Sequence, residues 1–182
     1  MHQPSLLIAD QPTRWGASPA IEKHCIFRSA GQQFSLPATA VRELTLTRSV
    51  VPVPASYPPL AGLCHLHGRF FPVISLSDLL QLDQPDPPRS QQQLIVVDRV
   101  SPWAILITGA VAVDALPSGL TCDERLADPL HAVTSAVAWY GGEPVQMLDP
   151  VRLLRFTQQV VDAGWNPPHR SCPASQQTGG ER

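Results

Sequence analysis

Apolar residues along this chain fall into short runs separated by turn signals, which is the spacing of strands rather than of long helices. Lys23 to Ser29 is β-branched and aromatic, Ala30-Gly31 offers a turn, and Gln33-Phe34-Ser35-Leu36 returns. Cys25, Phe27, Phe34 and Leu36 alternate as the inner face of such a hairpin does. Ala38 to Leu44, after Pro37, predicts a short helical turn, and Thr45 to Val53 an edge strand ended by Pro52 and Pro54. Leu60–Leu66 and Arg69–Ser75 flank His67-Gly68, the signature of a tight hairpin. Ser77 is the expected N-cap of a short helix through Leu80.

A polar, proline-rich stretch from Asp83 to Gln93 then divides the core into halves, about 22–83 and 92–161. The second half repeats the theme. Leu94–Arg99 predicts a strand, and Trp103–Thr108 a strand buried on both faces, with Val111–Leu116 extending the sheet. Ala132–Trp139 and Pro144–Leu148 predict another hairpin around Tyr140–Glu143. Asp149-Pro150 pairs an N-cap with proline at the first helical position. In the helix that follows, Val151, Leu154 and Gln158 share a face, with Leu153 and Val160 nearby. The pattern predicts a mainly β protein of two small barrel-like units, not a doubly wound α/β fold. Residues 1–21 read as a flexible arm, with Trp15 its one candidate for docking on the body, and 162–182 as a disordered tail.

Composition narrows the function. The 182 residues include 20 prolines spread over the whole length, which excludes long coiled coils and helical repeats. The net charge is −2 and there is no basic stripe, so nucleic acid is not an expected partner. The longest apolar run, Trp103 to Val113, is interrupted by Thr108 and Gly109 and falls short of the roughly 20 residues of a membrane helix. The start of the chain has no basic n-region before its apolar residues. Cys25, Cys64, Cys122 and Cys172 are widely spaced. A cytoplasmic protein with free thiols and no direct membrane insertion is expected.

Candidate chemistry is sparse. There is no nucleotide-binding glycine loop and no nucleophile elbow. Glu43, Asp78, Asp98 and Asp149 lie at turns or element ends, where capping accounts for them. No enzymatic activity and no cofactor are expected. His24, His65 and His67 form the one metal-site alternative, because i and i+2 share a strand face. Its rival is a turn residue beside a half-exposed strand residue, with Cys64 a small buried hydrophobe. The loop of Pro52, Pro54, Tyr57, Pro58, Pro59 and Leu60 is apolar and fits either partner binding or internal packing.

Two stretches carry a resemblance: Phe34 to Leu44 with Val51-Pro52-Val53-Pro54, and Leu60 to Leu76. They are similar to the V-x-E turn, the V-P-x-P segment and the G-x-x-N-L-R-G hairpin of the CheW family, the adaptor domain of bacterial chemosensory arrays. Leu94–Val97, Ala104–Thr108 and Val145–Asp149 match later strands, so the similarity spans about 22–158. It implies two small five-stranded β-barrel subdomains with short helices and no catalysis. It also implies two partners: the regulatory domain of a CheA-type histidine kinase and the cytoplasmic tip of a chemoreceptor.

Val41, Glu43, Gly62, Leu63, His67 and Arg69 are the partner-binding residues expected on this basis, and Gly62→Asp is expected to disrupt binding without unfolding the protein. Three positions depart from the family pattern. His67 replaces the arginine of N-L-R-G, Ser75 replaces an aspartate, and Thr108 falls near another. Losing the arginine fork weakens any contact that needs it, although Arg69 is adjacent. The alternative within the same fold is therefore an accessory or competing subunit that binds only one of the two partners.

Overall fold

A computed structural model of the chain describes residues 22–46, 50–83, 87–88, 91–97, 102–117, 120–121 and 128–165. The first repeat of elements is β1 (Glu22–Ser29), β2 (Gln32–Pro37), a 3-10 turn (Ala38–Ala40), β3 (Val41–Leu46), β4 (Val50–Val51), β5 (Leu60–Leu66), β6 (Arg69–Ser75) and α1 (Leu76–Leu80). The second is β7 (Gln93–Val97), β8 (Trp103–Ile107), β9 (Gly109–Leu116), β10 (Leu120–Thr121), α2 (Pro129–Val133), β11 (Thr134–Tyr140), β12 (Glu143–Leu148) and α3 (Pro150–Trp165). The fold is mainly β, as the pattern predicts. The expected arm, the later part of the tail, Asp98, Cys122 and Cys172 lie outside the described residues.

The two halves do not correspond to the two sheets, which corrects the division at the proline-rich stretch. One sheet runs β10-β11-β12-β2-β1-β9 and the other β3-β7-β8-β6-β5-β4. Each has five longer strands and one two-residue edge strand, β10 or β4. The opening hairpin of each half is thus exchanged into the other half's sheet. Each exchanged hairpin is joined on one side by a parallel pair, β12 with β2 or β6 with β8, and on the other by an antiparallel pair, β1 with β9 or β3 with β7. The registers repeat as well. A bulge between Val41 and Glu43 on β3 has its counterpart between Ala110 and Ala112 on β9, one between Leu60 and Gly62 on β5 its counterpart between Thr134 and Ala136 on β11. The similar themes of the two halves are a true structural repeat.

Alternation along the strands feeds three cores. Leu94, Val96, Ala104 and Leu106 point into one sheet's own interior with Cys64, Phe71 and Val73. Their neighbours Ile95, Val97, Trp103, Ile105 and Ile107 point into a core shared with Cys25, Phe27, Phe34 and Leu36 of the other sheet. Ile26, Leu116, Ala138, Val145 and Met147 fill that second sheet's interior. The central strands β7 and β8 are therefore apolar on both faces, and all of β8 is buried. Phe27 and Phe34 stack at 6.0 Å in the shared core, where each large side chain contributes about 1.5–3 kcal/mol by burial.

The helices close this shared core and correct several expectations. Only Ala38–Ala40 is helical after Pro37, because Val41–Leu46 pairs with β7. Ser75, not Ser77, caps α1: its Oγ accepts from the Asp78 amide at 3.3 Å, in the place of the family aspartate. Ala132 lies in α2, a helix capped by Asp128, and not in the strand expected there. Asp149 does cap α3, accepting from the amides of Val151 and Arg152 at 2.7 and 3.0 Å. Val151 and Gln158 are exposed, however, and the buried stripe is Leu153 and Thr157. The helix runs on to Trp165, so residues 162–165 of the expected tail are ordered by its register. The Tyr57 ring lies against Gly164, which gives the proline-rich loop a packing role.

Candidate interaction surface

The hairpin of β5 and β6 turns at His67 and Gly68, both with positive φ (49° and 76°), as a tight right-twisting hairpin requires. The turn carries the His67 ring across to β3, where its Nε2 lies 3.0 Å from Oε2 of Glu43. This contact measures the curl of the sheet. β3 and β5 are four strand spacings apart in sheet order, about 19 Å in a flat sheet at roughly 4.8 Å per strand. Only a strongly curled sheet brings the two side chains together. The bulge at Arg42 helps by re-aiming Glu43. His67 is exposed and Glu43 partly so, which places the pair in the range of about 0–1 kcal/mol. Behind them Cys64 is buried, and burial, with the Glu43 charge adding to it, pushes its thiol up from the ordinary range.

The outer face of the hairpin is apolar. Val51, Leu63 and Pro72 are register neighbours across β4, β5 and β6, and all three are exposed. His65 and Phe70 pair across the same strands with rings 4.9 Å apart, and Phe70 is 72 % exposed. Arg69 is exposed at the tip. Gly62 is different. It is buried in the bulge of β5 with φ +147°, and a Cβ there would run into the backbone carbonyl of Val51. Glycine lets β4 close onto β5. A side chain at this position acts on the fold first, so the expectation that Gly62→Asp spares the fold is corrected.

A second apolar feature joins the two sheets. The terminal strands β3 and β9 of the two sheets face each other across a groove of about 480 Å3. Val41 and Leu44 line one side, Ala110, Val111 and Val113 the other, with Ala38 beside them. By register, Val41 is the counterpart of Ala110 and Leu44 of Val113. The groove is therefore walled by equivalent edges of the two repeats. Leu44 and Val113 are 44 % and 65 % exposed.

The structure brings Val41, Glu43 and His67 to adjoining parts of one surface, with Leu63 and Arg69 on the hairpin next to it. Sequence reasoning missed Leu44, Phe70, Val111 and Val113. Their signal was weak, since an outward apolar residue on a strand has the same spacing as an inward one. It also missed the tip of the other sheet, where Trp139 is 66 % exposed. There Glu143 accepts from Gln33 Nε2 at 2.6 Å and Arg28 Nη2 at 2.7 Å, and these bonds hold its carboxyl below the usual range.

The three histidines of the metal alternative are not brought together. His24 is buried in the other sheet, with Nδ1 3.3 Å from Ser35 Oγ, and burial lowers its imidazole from the ordinary 6.5 against a smaller opposing pull from Glu22. No group of three potential ligands forms among the described residues. Cys25 and Cys64 are free thiols. The Thr108 amide donates to the Arg28 carbonyl at 2.8 Å, a structural use of that position. No helix among the described residues is long and apolar enough to cross a membrane.

Two curled sheets around a shared core, with an apolar groove and an apolar hairpin face, define a two-sheet β domain with an exposed apolar surface. The CheW-like domain family matches residues 23–158, and the chain belongs to that family. Its members are non-catalytic scaffolds of chemosensory signalling, and a chemotaxis scaffold role follows at that level. Among solved structures, the chain is similar to the scaffolding protein TtCheW from Thermoanaerobacter tengcongensis. The TM-score is 0.64 at 16 % identity, over 74 % of this chain and 88 % of that one, which shows the shared fold. A search of curated protein sequences finds no significant match.

Proposed function

We propose that this chain is a cytoplasmic coupler that holds a chemoreceptor signalling tip in the β3–β9 groove and a CheA-type kinase regulatory domain on the β5–β6 hairpin face. The observation that carries this reading is the groove itself, two equivalent sheet edges with Leu44 and Val113 left exposed. An apolar trough of this kind suits the apolar stripe of an amphipathic helix. The hairpin face offers Phe70, Leu63 and Val51, an aromatic and aliphatic cluster of the type that anchors interfaces. The Glu43–His67 contact links the two surfaces, with histidine in the place of the family arginine.

The test is binding of the purified chain to a kinase regulatory domain and to a receptor tip fragment, each measured alone. Leu44→Asp and Val113→Asp are expected to weaken the receptor fragment and spare the kinase domain, and Phe70→Asp the reverse. Receptor affinity unchanged in both groove variants would remove the assignment. Binding of the parent chain to only one partner would favour the competing-subunit reading, which the missing arginine fork motivates.

A further inference from the structure

The β3–β9 groove opens close to the point where β1 begins. Cys25 of β1 is in its lining, and β1 starts three residues earlier, at Glu22. At roughly 3.3 Å per residue those two positions lie about 10 Å apart. The lining is apolar throughout. Leu44 and Val111 are each 44 % exposed and Val113 is 65 % exposed. Aliphatic side chains left together at a surface mark a place that something covers.

Residues 1–21 lie outside the described residues and join them at this spot. Trp15 is the only Phe, Tyr or Trp among them. It precedes Glu22 by seven positions, and seven residues span at most about 25 Å. That exceeds the roughly 10 Å back to Cys25, so the segment can reverse direction and still reach the groove. Gly16 and Ser18-Pro19, residues of the kind a reversal needs, stand between Trp15 and Ile21. Size agrees as well. An apolar cavity of about 150 Å3 holds benzene, so a groove of about 480 Å3 admits an indole. A tether this short holds the indole near the groove at a local concentration of about millimolar. We propose that the Trp15 side chain seats in the β3–β9 groove and covers it until a partner displaces it. The seating stands on the groove and the tether. Its regulatory consequence, that the arm holds back receptor binding, rests on the receptor reading of the groove given above.

The experiment uses the full chain labelled with 15N at tryptophan, with the Trp15 indole resonance identified by its loss in Trp15→Ala. That resonance is expected to stand apart from the one in a synthetic peptide of residues 1–21. It is expected to move to the peptide position in Leu44→Asp and in Val113→Asp. A parent resonance already at the peptide position, or one unmoved by both groove variants, overturns the seating. So does a position that depends on protein concentration, since the indole then sits on a second copy. The receptor tip fragment is titrated next. Trp15→Ala is expected to bind it about five- to tenfold more tightly than the parent, as for a groove covered about 80–90 % of the time. Equal affinity overturns the competition. A fragment that binds neither form removes the receptor reading and the competition with it, while the resonance still decides the seating.

Discussion

Replacing Gly62 by alanine sets a Cβ against the Val51 carbonyl and fixes a side chain on a backbone at φ +147°. The two costs are separable. A non-glycine residue held in such a conformation costs about 1–3 kcal/mol. Overpacking a well-filled site costs about 1–3 kcal/mol more, because β4 must move away from β5. Alanine returns about 0.4–1 kcal/mol by stiffening the unfolded chain. The expected net loss is about 1–5 kcal/mol, a large share of the roughly 5–15 kcal/mol that holds a domain together. Gly68→Ala is the internal control. Gly68 has φ +76°, but a Cβ added there would meet nothing within 4 Å, so it carries the conformational cost without the collision. Urea unfolding of both variants measures the difference, read as a shift in midpoint at constant slope. Gly62→Ala is expected to be the less stable variant by about 1–3 kcal/mol, the overpacking cost. Equal stability of the two, or a Gly62→Ala loss under about 0.5 kcal/mol, would refute the reasoning, since that is the range of surface substitutions away from special features.

Three further outcomes follow from particular contacts. A double-mutant cycle with Glu43→Gln and His67→Gln is expected to give a coupling of no more than about 1 kcal/mol, because the pair is solvent-accessible; a larger value would mean the pair holds the sheet curled. His24 has a lowered folded-state value, so the unfolded chain takes up its proton first as the pH falls. Stability contributed by His24 is therefore full above its ordinary 6.5 and lost as the pH falls below that, levelling off once the folded ring protonates; urea midpoints of the parent and His24→Gln should converge between neutral and mildly acid pH, and parallel curves would contradict this. Asp149→Ala removes the acceptor for two amides at the start of α3 and should cost about 0.5–2 kcal/mol by thermal or urea unfolding, and no loss would contradict the cap.

The hairpins were legible because they are local. His67-Gly68 and Ala30-Gly31 announce their turns, and the continuous apolar run Trp103–Ile107 announces a strand covered on both faces. Glu43 and His67 stand out by motif spacing alone, and the structure sets them 3.0 Å apart. The exchange of hairpins was not, because nothing near Ser35 signals its parallel pairing with Met147, more than a hundred positions away. The groove was hidden for the same reason: Leu44 and Val113 become neighbours across it only after two separate sheets have formed. Helix α2 was missed because five residues are too few for a periodicity, and only Asp128-Pro129 marks its start.

The reciprocal exchange of β1–β2 and β7–β8 also bears on how the molecule comes apart. Neither half of the chain owns a complete sheet. Cutting the connection between α1 and β7 would leave two fragments, each missing the two strands that complete its own sheet and holding the two its partner lacks. Such pieces have no native state alone and a complete one together, so they should reassemble from solution as a complementing pair. For the same reason, two intact molecules have a ready route to trading hairpins with each other at high concentration.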